Sequence, residues 1–271
     1  IADHEYMIPY VEVSNIEQVR RSFDAGPAVI VASHRTHFDY LILSYLFYFR
    51  QMPLPYIAAG DNLDFWPIGA LLRSAGAFFI RRRVGDDRVY RVVLANYLRM
   101  LVKQGALIEF FIEGGRSRSG ALCPPRMGIL KYIVEGWAKG DRRDLAFIPA
   151  AVSYDRVPEE TSIIREFAGM RKERESMFSL LKLWGVWRRH FGAVRVVFGE
   201  PVSIQEFCTA LDEKLGRRAD TRTIASALGN ELAEEIKRRT PLTVSALGAV
   251  AVMSFGDMGI SGQELEVRLS R

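Results

Sequence analysis

Short runs of β-branched and aromatic residues alternate along the chain with longer segments whose apolar positions recur at helical spacing. The strand-like runs are 28–32, 56–59, 77–80, 107–112, 145–152 and 195–198, and the helical patterns between them cover 36–49, 65–74, 87–103, 126–137, 171–190 and 220–238. This alternation predicts an α/β fold with a mixed, largely buried central sheet flanked by helices, because strands covered on both faces read as continuous apolar runs. No repeat, low-complexity tract or Pro/Gly-rich linker interrupts the chain before residue 240, so residues 1–240 read as one domain. The stretch from Pro241 to Gly256 is free of charge but rich in Ala, Gly and Ser. It falls short of the roughly 18 consecutive apolar residues of a membrane span. Residues 241–271 are therefore expected to be an apolar helical segment that opens a C-terminal region, with interfacial packing as one role.

One cluster breaks the apolar pattern where it would least be expected. Between the run Val29 to Ala32 and an almost unbroken apolar stretch stand His34, Arg35, His37 and Asp39. Five residues apart, His34 and Asp39 fall on different faces of a helix and on opposite faces of a strand. They can meet if a strand ends near Ser33, the chain turns through Arg35 and Thr36, and a helix capped by Thr36 follows, with Asp39 in its first turn. A histidine held by such a carboxylate keeps one tautomer, and its imidazolium is stabilised when it takes a proton. That is a general base able to activate an alcohol. A metal site would draw on His34, His37 and Asp39, but no further acid or histidine cluster accompanies them.

Composition narrows the class. With 49% hydrophobic and 25% charged residues over 271 positions, the chain is ordinary globular material. Cys123 and Cys208 are the only cysteines and read as free thiols. The chain opens on Ile1 rather than Met, as expected of an excerpt or a processed chain. A net charge of +5 and a pI near 9.3 point to an anionic partner. Nucleic acid fits poorly, because the arginines gather at separate strand ends rather than in one stripe interleaved with aromatics.

Two of those strand ends carry chemistry. "GAFFIRRR" runs an apolar strand into Arg81, Arg82 and Arg83, and "LIEFFIEGGRSRSG" runs another into Glu113, Gly114, Gly115, Arg116, Ser117 and Arg118. Guanidinium groups beside flexible glycines make a phosphate cradle. It lacks the lysine of a nucleotide-triphosphate loop. A fourth run, "FIPAAVSYDRV", is a strand with Pro149 near its start.

Taken in order, His34-x4-Asp39, "GAFFIRR", "FIEGGRSRSG" and "IPAAVSY" resemble the four motifs of the glycerol-3-phosphate acyltransferases, especially the large membrane-associated bacterial type, and the related dihydroxyacetone phosphate acyltransferases. The resemblance extends through "VVFGEPVSI" to "PLTVSALGAVAVM", or about residues 25–255. It implies transfer of a fatty acyl group from acyl-CoA or acyl-carrier protein to the sn-1 hydroxyl of glycerol 3-phosphate, giving lysophosphatidate, at a membrane surface on the cytoplasmic face of a bacterial inner membrane. It also implies that His34 is the base and Asp39 its partner, that Arg81 or Arg82 with Glu113, Gly114, Arg116, Ser117 and Arg118 holds the polyol phosphate, and that Pro149 borders the acyl-donor site. No cofactor or metal is implied. The third arginine, Arg83, departs from the pattern and leaves open which guanidinium takes the phosphate. Three alternatives stand beside this: acylation of dihydroxyacetone phosphate, acylation of lysophosphatidate, and a non-catalytic anionic-lipid-binding protein. A covalent route through Cys123 is a further alternative to direct transfer. A helix over 171–190, with Met177, Leu180, Leu181, Trp184 and Trp187 on one stripe, suits a membrane-facing position and equally a core-packing helix with snorkelling arginines.

Overall fold

In a computed structural model, residues 11–81, 87–117, 119–140, 143–157, 163, 192–254 and 261–269 are described. The expected roles of Arg82, Arg83, Arg118 and the helix over 171–190 lie outside these residues.

The elements run β1 (Val11–Ser14), α1 (Ile16–Ala25), β2 (Ala28–Ala32), α2 (Asp39–Phe49), β3 (Tyr56–Gly60), α3 (Ile68–Ser74), β4 (Ala77–Ile80), α4 (Arg88–Lys103), β5 (Ile108–Phe111), α5 (Gly128–Ala138), β6 (Ala146–Tyr154), β7 (Val194–Phe198), β8 (Val202–Ser203), α6 (Ile204–Leu215), α7 (Thr221–Arg239), α8 (Val244–Met253) and α9 (Gly262–Leu269). Eight strands form one sheet in the order β1-β7-β6-β2-β5-β3-β4, with β8 paired to β6. The strands from β6 through β4 are mutually parallel, β7 runs antiparallel to β6, and β1 is parallel to β7. The sheet is therefore mixed, as the apolar runs predict.

Alternation along the strands sorts two cores. Val29, Val31, Ile108, Phe110, Phe147 and Ala151 face the layer built from α4, α5 and α7. Ala28, Ile30, Ala32, Phe111, Ile148, Ala150 and Val152 face the layer of α1 and α2. All five residues of β2 are buried, which is why this strand shows no polar alternation. The sequence pattern misses β1, α1, β8 and α6. Helix α1 is amphipathic with a polar exposed face, and β1 is a four-residue edge strand with alternating exposure, so neither makes a long apolar run.

The parallel strands end on one side of the sheet, where crossovers in α/β proteins leave a crevice. The loops after β2, β4 and β5 gather there, beside the N-terminal ends of α2, α4 and α5.

Candidate active site

Strand β2 does not stop at Ala32 by accident of geometry. The Ser33 N–H donates to the Ala150 carbonyl at 3.0 Å, and the Ser33 hydroxyl accepts from the Val152 N–H, so the next residue is aimed from a fixed platform. That residue is His34. Its backbone N–H donates to Glu113 Oε1 at 2.7 Å, its carbonyl accepts from the Ser117 N–H at 2.9 Å, and its ring stacks on Phe111 with centroids 4.2 Å apart.

His34 Nδ1 lies 2.9 Å from Asp39 Oδ2. A carboxylate can only accept, so Nδ1 carries the proton and Nε2 is left as the basic nitrogen. Asp39 is fully buried. Oδ2 also accepts from the Arg35 N–H at 2.6 Å and the Thr36 N–H at 3.0 Å, while Oδ1 accepts from the Tyr154 hydroxyl at 2.6 Å. The strand-turn-helix geometry read from the sequence is thus present, with one change. Thr36 does not cap α2. Its hydroxyl accepts from Phe38, and the helix begins at Asp39, because Asp39 itself takes the Thr36 N–H and folds the turn back on the carboxylate.

His34 and His37 open onto a cavity of about 450 Å³ that is also lined by Gly60, Arg81, Gly114, Arg116 and Arg126. Arg81 emerges from β4, pairs with Asp87 at 2.9 Å and lies over the Tyr90 ring, so this guanidinium is steadied before any ligand arrives. Gly114 turns with φ of +60°, and a Cβ there would meet Arg126 Cδ at 2.7 Å. Glycine at that position lets Arg126 cross the loop to the cavity. No strand end or motif singles out Arg126 in the sequence; a lone arginine after two prolines carries no signal that the loop before α5 will deliver it here.

Three residues expected at substrate stand elsewhere. Glu113 is buried behind the cavity, where Oε1 accepts from His34 and Oε2 from the Cys123 N–H at 2.8 Å, with Arg35 Nη1 at 4.0 Å. Ser117 is also buried, its hydroxyl donating to the Ala121 carbonyl. Both tie the glycine loop to the β2 turn; neither lines the cavity. Pro149 lies inside β6 opposite Val31 and shares the parity of Phe147 and Ala151, so it faces the α7 layer rather than the dyad. Gly199, whose Cβ would collide with Pro149 Cγ, closes over it.

One buried carboxyl was not anticipated. Glu109 on β5 has no exposed surface, and neither oxygen has a hydrogen-bond partner. Burial, and then the charge on Asp39, push its carboxyl well above the ordinary value of 4.5, which keeps it protonated.

The residues 10–153 match the acyltransferase family, and residues 164–271 match the C-terminal region of glycerol-3-phosphate acyltransferases. The chain belongs to the glycerol-3-phosphate acyltransferase family. A glycerol-3-phosphate acyltransferase of Pseudomonas fluorescens is 34% identical over 96% of this chain, and one of Pseudomonas aeruginosa is 40% identical over 73% of it. The chain spans about a third of the length of such relatives, 32% for the P. fluorescens protein. The 1-acyl-sn-glycerophosphate acyltransferase of Thermotoga maritima superposes with a TM-score of 0.48 at 18% identity, covering 86% of this chain and 75% of that one.

Proposed function

We propose that the chain carries the acyl-transfer site of a glycerol-3-phosphate 1-O-acyltransferase. The observation that carries this reading is the His34–Asp39 dyad opening on a cavity with Arg81, Arg116 and Arg126 on its walls. The arginines hold the phosphate of glycerol 3-phosphate, and Gly114 and Gly115 let that group approach the backbone. Nε2 of His34 takes the proton of the sn-1 hydroxyl as its oxygen attacks the thioester carbonyl of acyl-CoA or acyl-carrier protein. The C–O bond forms, the C–S bond breaks, and the proton passes from His34 to the departing thiolate. Asp39 stabilises the imidazolium in between. Binding both reactants in one crevice supplies the orientation.

Direct transfer is favoured over a covalent route through Cys123. Burial, followed by the nearby Glu113 carboxylate, raises the Cys123 thiol, the wrong direction for a nucleophile. The thiol also does not line the cavity.

Attachment to a membrane surface is the second part of the proposal. Among the described residues no helix is long and apolar enough to cross a membrane. Helix α8 has no buried residue and exposes Val244, Leu247, Val250, Val252 and Met253, while the chain carries +5 charge, a combination suited to lying on an anionic bilayer such as the cytoplasmic leaflet.

Thiol release from palmitoyl-CoA by the purified chain tests the reading, with glycerol 3-phosphate, dihydroxyacetone phosphate and lysophosphatidate as acceptors. Turnover with glycerol 3-phosphate is expected. Turnover with another acceptor alone moves the substrate within the family, and binding of anionic vesicles by folded protein without any turnover returns the chain to a lipid-binding role.

A further inference from the structure

We infer that Tyr154 is a positioning residue for the dyad: its hydroxyl fixes the Asp39 carboxylate, and through it His34, to the central sheet. This deepens the acyltransferase reading and rests on it for its kinetic consequence alone. Asp39 is held by two kinds of partner. The donors on Oδ2, from His34, Arg35 and Thr36, all belong to the same short turn as Asp39. Those contacts are local to the turn and set Oδ2 against His34, and they leave Oδ1 to a partner from outside the turn. The Tyr154 hydroxyl comes from β6, 115 residues away in sequence, and reaches Oδ1 at 2.6 Å. Among the described residues no other donor reaches that oxygen.

Tyr154 is well placed to act as a fixed post. It is the last residue of β6, it pairs with Val194 of β7, and its side chain is buried in the α2 layer. The next residue is clamped as well: Asp155 accepts from the Ala193 N–H at 2.8 Å and from Arg195 at 2.6 Å, and its carbonyl accepts from the Ser245 hydroxyl. Both β7 and Ser245 lie in the stretch matched by the C-terminal family region. That region therefore braces the strand end from which Tyr154 reaches the dyad.

The neighbouring Glu109 shows why such a donor is needed. Two buried carboxyls share this layer, and the one with four donors is Asp39 while the one with none is Glu109. A hydroxyl on Oδ1 satisfies the second oxygen of the carboxyl that serves His34. Without it Oδ1 is a buried, unpaired anionic oxygen, which is costly and free to rotate toward other partners.

The test is Tyr154→Phe, which removes the hydroxyl and keeps the buried ring. In thiol-release assays kcat is expected to fall about tenfold, the weight of one hydrogen bond to a charged group, while KM for glycerol 3-phosphate stays unchanged because the arginines are untouched. In an Asp39→Asn background the same change should have no further effect on kcat. An equal loss in both backgrounds would mean a merely structural tyrosine, and an unchanged kcat in the native background would also overturn the inference. A readout independent of turnover separates this from failure of the acyltransferase reading. The proton on His34 Nδ1, followed by nitrogen-15 NMR, should shift or broaden in Tyr154→Phe while the His37 signals stay put; an unmoved His34 signal overturns the proposal even if no acceptor is found. Should the phenylalanine variant not fold, fluorotyrosine at position 154 keeps the shape and strengthens the donor, and the same His34 signal must move.

Discussion

Two basic clefts sit at opposite ends of the sheet, and they are not equivalent. The cavity at the strand C-terminal ends, about 450 Å³, brings Arg81, Arg116 and Arg126 to His34. At the other end a cleft of about 300 Å³ is lined by Arg99, Lys103, Arg143 and Trp137. Judged by charge alone either would bind a phosphate. The backbone decides otherwise. Helices α1, α4 and α5 all end at the second cleft, so their carbonyls and negative dipole ends face it, and Arg99 donates to the Lys139 carbonyl at 2.9 Å. Its cations offset helix C-termini. At the first cavity α2, α4 and α5 begin, and their N-terminal ends add to the arginines rather than cancelling them. An arginine cluster thus means binding or capping according to which helix end it meets.

The largest test of this contrast is removal of the His34–Asp39 dyad, for which the lining of the second cleft has no counterpart. His34→Ala should lower kcat about a thousandfold, and Asp39→Asn nearly as far, with circular dichroism showing an intact fold. Next come the arginines. Replacing Arg116 or Arg126 by alanine should raise KM for glycerol 3-phosphate about tenfold or more, whereas Arg99→Ala and Arg143→Ala should leave KM within about twofold and lower the melting temperature by only a few degrees. Equal KM effects at both ends would erase the distinction. Gly114→Ala should mimic a weaker Arg126 change, since the new methyl group displaces that side chain and strains a left-handed residue.

The smallest effect concerns stability and pH. Glu109 holds its proton in the folded chain well above the ordinary value, so folding takes up a proton once the unfolded carboxyl ionises. Its contribution is complete below about pH 4.5 and declines as pH rises toward the folded value. Glu109→Gln removes that decline. The melting-temperature difference between variant and native chain should therefore move in the variant's favour from pH 5 to pH 8, and a difference that does not change over that range would show that Glu109 is ionised in the fold.

Most of the sheet was legible because its central strands are buried on both faces and spell themselves as apolar runs, as in Ala28 to Ala32, and the half-buried edge strand Ala77 to Ile80 is apolar throughout. Helices such as α4, which carries a buried stripe at Leu94, Leu98 and Leu101, were legible for the same reason. Edge strand β1 and the polar-faced α1 bury too little to leave that signature. The dyad could be read because His34 and Asp39 are close in sequence and meet through one local turn.

The sequence by itself determined the family, the α/β order of elements and the pairing of His34 with Asp39, all of which depend on short-range patterns. Only the tertiary structure decided which charged groups face the cavity. Glu113 and Ser117 belong to a motif yet turn inward to brace a loop, because their partners in the β2 turn lie about eighty residues away in the chain. Arg126 carries no motif signal of its own, and Tyr154 closes the fourth motif without any sign of its partner, yet both reach the site, because segments from distant parts of the sequence converge at one edge of the sheet. Pairing across the sheet, rather than composition, assigns those roles.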